Sequence, residues 1–176
     1  MKSISHSQFT TYNDCNLKWK LRYVDELSLF GGNIYTLFGS AMHTVIQSYL
    51  NEMYNKSIVS ADKLLLDDML KEEMVKEFNE IKEKWGVLPC EQKDMIEFYQ
   101  DGLEIIKHFR KHRNRYFTKN NYELVGVEVP IFTTVQEGVE FRSYLDIVLR
   151  NKISGDIIII DLKTATRGWI HFQKKN

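Results

Sequence analysis

The sequence predicts an α+β fold, with a helical N-terminal two-thirds packed on a small mixed sheet, and three features carry that expectation. Apolar side chains repeat at helical spacing up to about residue 120, and from Tyr122 onward the repeat becomes two. The β region then culminates in Ile157-Ile158-Ile159-Ile160, followed at once by Asp161-Leu162-Lys163. Helices that all precede the strands mark a segregated α+β arrangement rather than alternating βαβ units. At 176 residues the chain suits one domain, 1–176, whose helices occupy residues 1–120 and whose sheet occupies residues 121–176.

Composition narrows the function classes. With 43% hydrophobic and 27% charged residues, the chain is an ordinary globule and not a disordered segment. The longest apolar run is too short to span a bilayer, and no basic region followed by an apolar core opens the sequence, so a cytoplasmic protein without a membrane partner is expected. Cys15 and Cys90 lack metal-type spacing and point to a reducing compartment. The net charge is zero, so attraction to a nucleic acid has to come from local patches and metal ions.

Ser5-His6-Ser7-Gln8 has the form of a capping box, and Phe9 and Tyr12 follow at helical spacing, which predicts a short helix from about His6 to Cys15. Next, Leu17, Trp19, Leu21 and Tyr23 alternate with Lys18, Lys20 and Arg22. That is a strand-like pattern whose basic face meets either solvent or phosphates. Gly31-Gly32-Asn33 is a turn. From Thr36 to about Asn55, Phe38, Met42, Val45, Ile46, Tyr49, Leu50 and Met53 share one helical arc. Gly39 lies inside that arc, where a missing side chain admits a close neighbour, and His43 lies at its edge. On the residues alone, His43 reads as a structural histidine unless acids converge on it from elsewhere.

Ser60 to about Trp85 reads as a long charge-laced helix with Leu65, Met69, Phe78 and Ile81 as a thin apolar stripe, ended by Gly86 and Pro89. A second long helix is predicted from about Gln92 to Phe117, burying Met95, Phe98, Tyr99, Leu103, Ile106 and Phe109. Its last third holds Lys107, Arg110, Lys111, Arg113 and Arg115. Cations there complement the helix dipole, which accounts for them first, and a phosphate-binding patch is the alternative.

Tyr122 to Ile131 alternates, with Val125, Val127, Val129 and Ile131 on one face and Glu128 on the other. Phe141 to Leu149 alternates again, with Tyr144, Asp146 and Val148 opposite Leu145, Ile147 and Leu149. Gln136-Glu137-Gly138 supplies a hairpin turn between them, and Asn151 to Gly155 turns the chain into the isoleucine strand, which is expected to be buried on both faces. An antiparallel meander follows, and each of its strands contributes one acid: Glu128, Asp146 or Asp161. Cross-strand neighbours lie about 5 Å apart, so the three acids can close on a common point. Clustered carboxylates repel unless a cation is shared, and hard oxygen ligands select Mg²⁺ or Mn²⁺. An amine two residues beyond Asp161, at Lys163, can position a water and neutralise charge developing on a phosphate, which points to phosphodiester hydrolysis.

The ordered set of Tyr12 and Cys15 on a Ser-rich first helix, Trp19-x2-Arg22-Tyr23, Gly39-x3-His43, Glu128, Asp146 and Asp161-Leu162-Lys163 resembles the PD-(D/E)XK nuclease superfamily. More narrowly it is similar to the RecB-type exonuclease branch, which includes the AddB nuclease domain and the CRISPR-associated iron–sulfur exonucleases. The resemblance implies a restriction-endonuclease-like sheet. It also implies metal ligands at His43, Asp146, Asp161 and the backbone carbonyl of Leu162, with Lys163 as the catalytic lysine and Glu128 as a supporting acid. The implied activity is metal-dependent cleavage of DNA, at ends or on single strands, with Mg²⁺ or Mn²⁺. Lys18, Lys20, Arg22, Arg110, Lys111, Arg113 and Arg115 are the candidate DNA contacts. The rival expectations are a weak or inactive relative that binds DNA or a protein partner, and a metal-stabilised structural domain.

Two departures qualify the resemblance. No cysteine follows Cys90, so an iron–sulfur cluster of the kind its cluster-bearing members hold is not expected. The Gln-x3-Tyr helix that follows the lysine strand in that family has no counterpart, since Gln173 has no tyrosine four residues on. The expectation is therefore a fragment, or a sheet completed by a second copy or a partner protein.

Overall fold

The computed structural model describes residues 2–27 and 32–164. Among them, six helices and four strands follow the order β1 (Lys2–Ser5), α1 (His6–Asp14), α2 (Asn16–Tyr23), α3 (Ile34–Asn55), α4 (Ile58–Asp62), α5 (Leu66–Trp85), α6 (Gln92–Tyr116), β2 (Tyr122–Gln136), β3 (Val139–Asn151) and β4 (Ile157–Ile160). The fold is α+β with a helical N-terminal region and a mixed sheet, as expected. Gly31 and Gln173 lie outside the described residues.

Ser5 caps α1 by accepting the backbone N–H of Gln8. The segment whose alternation suggests a strand is instead the helix α2. Cys15, in extended conformation, ends α1, and its sulfur accepts from the Lys18 N–H to start α2. Eight residues fit either period, and Asn-Leu-Lys-Trp-Lys-Leu-Arg-Tyr contains no β-branched side chain to favour a strand.

The centre of the fold is α3. Asn33 accepts from the N–H groups of Tyr35 and Thr36, while the Thr36 hydroxyl accepts from Asn33 N–H, a reciprocal cap that fixes the start of the helix. Gly32 before it has φ 106°, a conformation open to glycine. Leu37, Ala41, Val45, Tyr49, Leu50 and Met53 are fully buried, and they pack with Leu66, Leu70 and Met74 of α5, Phe98 and Ile106 of α6, and Ile147 and Leu149 of β3. Gly102 of α6 permits that approach, because a Cβ there would run into Leu70 and Phe38. The long helix expected from Ser60 is two: the chain breaks at Leu64 and Leu65, so Leu66 rather than Leu65 heads the buried stripe and Leu65 is exposed.

β3 is the middle strand, antiparallel to β2 on one side. On its other side it pairs in parallel with β1 at Val139–Arg142 and antiparallel with β4 at Ile147–Arg150. β1 leaves no mark in the sequence pattern, since Lys-Ser-Ile-Ser has one apolar residue. A bulge between Leu124 and Gly126 makes Val125 an extra residue, so Tyr122, Leu124 and Val127 pack on the core and Val125 faces out, contrary to simple alternation. The isoleucine strand also departs from expectation. β4 has β3 as its one strand neighbour among the described residues, and Ile157 and Ile159 are 52% and 56% exposed. Four β-branched residues in a row establish a strand, whereas burial on both faces depends on what packs against it.

Candidate metal centre

The rungs between β3 and β4 end at Ile147 and Ile160, so the next residues, Asp146 and Asp161, stand at the point where the ladder opens. The chain leaves the sheet there as an irregular segment from Asp161 to Thr164. Leu162 is held by both faces of its backbone. Its N–H donates to Asp146 Oδ2 at 2.7 Å, and its carbonyl accepts from His43 Nε2 at 2.8 Å. A carbonyl can only accept, so that ring nitrogen carries the proton in this state. The other ring nitrogen, Nδ1, lies 3.7 Å from Asp146 Oδ2. An α3 histidine and a β3 aspartate thus grip one residue's backbone and bring the Asp-Leu-Lys segment against the helix.

Gly39 makes room for this. It lies one turn before His43, and a Cβ on it would sit 3.1 Å from the Thr164 hydroxyl. The close neighbour anticipated for Gly39 is therefore the chain just beyond the lysine.

Glu128 completes the group. One ligand atom each from His43, Glu128 and Asp146 lies within 4.8 Å of the others. Glu128 has φ 48°, the left-handed region that a non-glycine residue occupies at a cost of about 1–3 kcal/mol and that clusters at functional sites. Gln47, one turn beyond His43 on α3, donates from Nε2 to Glu128 Oε1 at 2.7 Å and to the Asp146 backbone carbonyl at 3.2 Å. Sequence reasoning passes over Gln47. Its one signal is a lone amide within an apolar arc, four residues after His43.

The side-chain donor set suits a hard divalent cation: two carboxylates and an imidazole. Among the described residues, no lysine or arginine pairs with Glu128 or Asp146, and His43 is the basic side chain set beside Asp146.

Asp161 and Lys163 stand apart from this group. Lys163 Nζ pairs with Asp161 Oδ1 at 3.0 Å, and both side chains are 60% exposed. The helical cations have varied surroundings. Arg113 donates to Asp62 at 2.9 Å and Arg110 to the Leu64 carbonyl at 2.7 Å, so both are tied into the helical core. Lys111 and Arg115 are exposed. On α2, Lys20 pairs with Asp25 at 3.0 Å, Arg22 lies over the Tyr23 ring, and Lys18 is exposed.

A family model described as the PD-(D/E)XK nuclease superfamily matches residues 3–173. The chain belongs to the PD-(D/E)XK nuclease superfamily. No curated protein matches it. Members of the superfamily are in general nucleases that use divalent metals, and the restriction-endonuclease-like arrangement of helices on a mixed sheet agrees with membership. No helix among the described residues is long and apolar enough to cross a membrane.

Proposed function

We propose that this chain is a metal-dependent deoxyribonuclease of the RecB-type exonuclease branch, acting on DNA ends or single strands with Mg²⁺ or Mn²⁺. The observation that carries this reading is the convergence of His43, Glu128 and Asp146 from three elements, with the Leu162 backbone clamped between two of them. His43, Glu128, Asp146 and the Leu162 carbonyl are the proposed ligands, with Asp161 joining from the irregular segment. When bound, a divalent ion supplies charge for the phosphoryl oxygens and acidifies a water.

The chain's own residues supply the remainder. Asp146 and His43 hold the Asp161–Thr164 segment so that Lys163 follows the centre by a single residue. Lys163, once released from Asp161, orients the attacking water and balances charge on the phosphate. Lys18, Arg22, Lys111 and Arg115 are the cations left to contact the DNA backbone.

The Asp161–Lys163 pair, turned to solvent, favours a second reading: a nuclease-like module with weak or no catalysis that binds DNA or a protein partner. Cleavage of linear single- and double-stranded DNA and of RNA in Mg²⁺, Mn²⁺ and EDTA separates the two. The first reading expects ion-dependent loss of DNA ends. It further expects that Asp146→Asn and Lys163→Ala each reduce the rate by about 100-fold or more, the scale on which a proton-transfer or charge-stabilising group acts. DNA retention without cleavage by the wild-type protein would establish the second.

A further inference from the structure

Gln47 is 7% exposed and is the one buried polar side chain among the described residues. Both groups it meets are acceptors, a carboxylate oxygen and a carbonyl, so its NH₂ end must face them and its two hydrogens are both used. Its neighbours along the helix, Val45, Ile46, Tyr49 and Leu50, form the apolar core. A leucine or methionine would pack there without the cost of burying an amide, so the amide's two contacts are what distinguish this position.

Those contacts have a geometric effect. One oxygen of Glu128 is held by a hydrogen bond, and the same nitrogen ties that oxygen to the β3 backbone at Asp146, the other carboxylate of the group. We propose that Gln47 is a positioning residue that leaves Glu128 one oxygen to offer an ion and fixes its distance from Asp146, thereby biasing the centre toward Mg²⁺ or Mn²⁺ and against Ca²⁺. This rests on the metal-dependent reading above. Ca²⁺ takes six to eight oxygens and readily accepts both oxygens of a glutamate, at about 2.3–2.6 Å. Mg²⁺ demands a near-octahedral shell at about 2.0–2.1 Å and gains from a rigid, single-oxygen ligand. A carboxylate free to rotate suits the larger ion, and one anchored by an amide suits the smaller.

The test is the ratio of Mn²⁺ to Ca²⁺ dissociation constants, measured by calorimetry on the full chain without DNA. The proteins compared are wild type, Gln47→Met, Glu128→Ala and the double variant, each checked for folding by its melting curve in EDTA. Gln47→Met keeps the length and removes the donor. It is expected to weaken Mn²⁺ by about 10–100-fold, the usual effect of losing a group that orients a ligand, while Ca²⁺ affinity holds or rises. Because Gln47 acts through Glu128, Gln47→Met should cause no further loss of Mn²⁺ in the Glu128→Ala background. Should Gln47→Met melt below the assay temperature, Gln47→Asn, too short to span both acceptors, carries the same measurement. An equal loss for both ions, or an undiminished effect without Glu128, overturns the proposal and leaves the metal-dependent reading intact. A wild-type protein that binds neither ion overturns both.

Discussion

Glu128→Gln is expected to make the metal-free protein more stable and the metal-bound protein less so. The ligand atoms of Glu128 and Asp146 lie within 4.8 Å, where two unit charges repel by roughly 3.5 kcal/mol at an effective dielectric of about 20. Glu128 is solvent-exposed, and screening reduces that to about 1 kcal/mol. The substitution removes the charge and retains an oxygen for Gln47 to donate to, so little else changes. For a chain of this size about 1 kcal/mol corresponds to a rise of about 2–4 °C in melting temperature. Thermal unfolding in EDTA and then in saturating Mn²⁺ measures both halves. Wild type at an ion concentration about 100 times its Kd should gain about 2.7 kcal/mol, and Glu128→Gln clearly less. A variant that melts lower than wild type in EDTA, or gains as much from Mn²⁺, would refute the idea of two carboxylates kept close for a shared cation.

Further outcomes follow from single contacts. Gly39→Ala should leave the melting temperature unchanged or raise it, since alanine is favoured in a helix by about 0.5–1 kcal/mol. It should nonetheless lower nuclease activity, because its Cβ presses on Thr164 and the segment gripped by His43; Gly39→Val should lower activity more. Arg113→Ala should reduce stability by about 1–2 kcal/mol in urea unfolding through loss of the Asp62 pair, with the salt dependence of DNA binding unchanged. By contrast, Lys18→Ala and Lys111→Ala should each lower the slope of log K against log salt by about one, with stability unaffected. In thiol labelling, exposed Cys15 should react first. Burial and the neighbouring Asp94 raise the Cys90 pKa, which withholds its thiolate, so its rate should climb only as pH rises beyond the ordinary thiol range. Equal labelling rates at about pH 8, near the ordinary thiol pKa, would contradict that.

Much of the centre is legible in the sequence because its components are locally encoded. The change of apolar period at Tyr122, the hairpin turn at Gln136-Glu137-Gly138 and the acid on each strand follow from side-chain alternation, which is a property of neighbouring residues. The Gly39-x3-His43 spacing likewise places both residues on one helical face. Trp19 and its neighbours mislead for the converse reason: eight residues carry too few repeats to separate a period of two from one of 3.6.

By itself, then, the sequence determined that helices precede a meander, that Glu128, Asp146 and Asp161 lie on or just beyond adjacent strands, and that His43 looks out from the edge of a core helix. Only the tertiary structure decided which of these groups meet. His43 reaches the Leu162 carbonyl across 119 residues of chain and Gln47 reaches Glu128 across 81, and no local pattern encodes such contacts. The same holds for Arg110 and Arg113, drawn into the helical core, and for Ile157 and Ile159, left exposed. A side chain's type states what it can bond or bury, whereas its partner is set by the packing of α3 against the sheet.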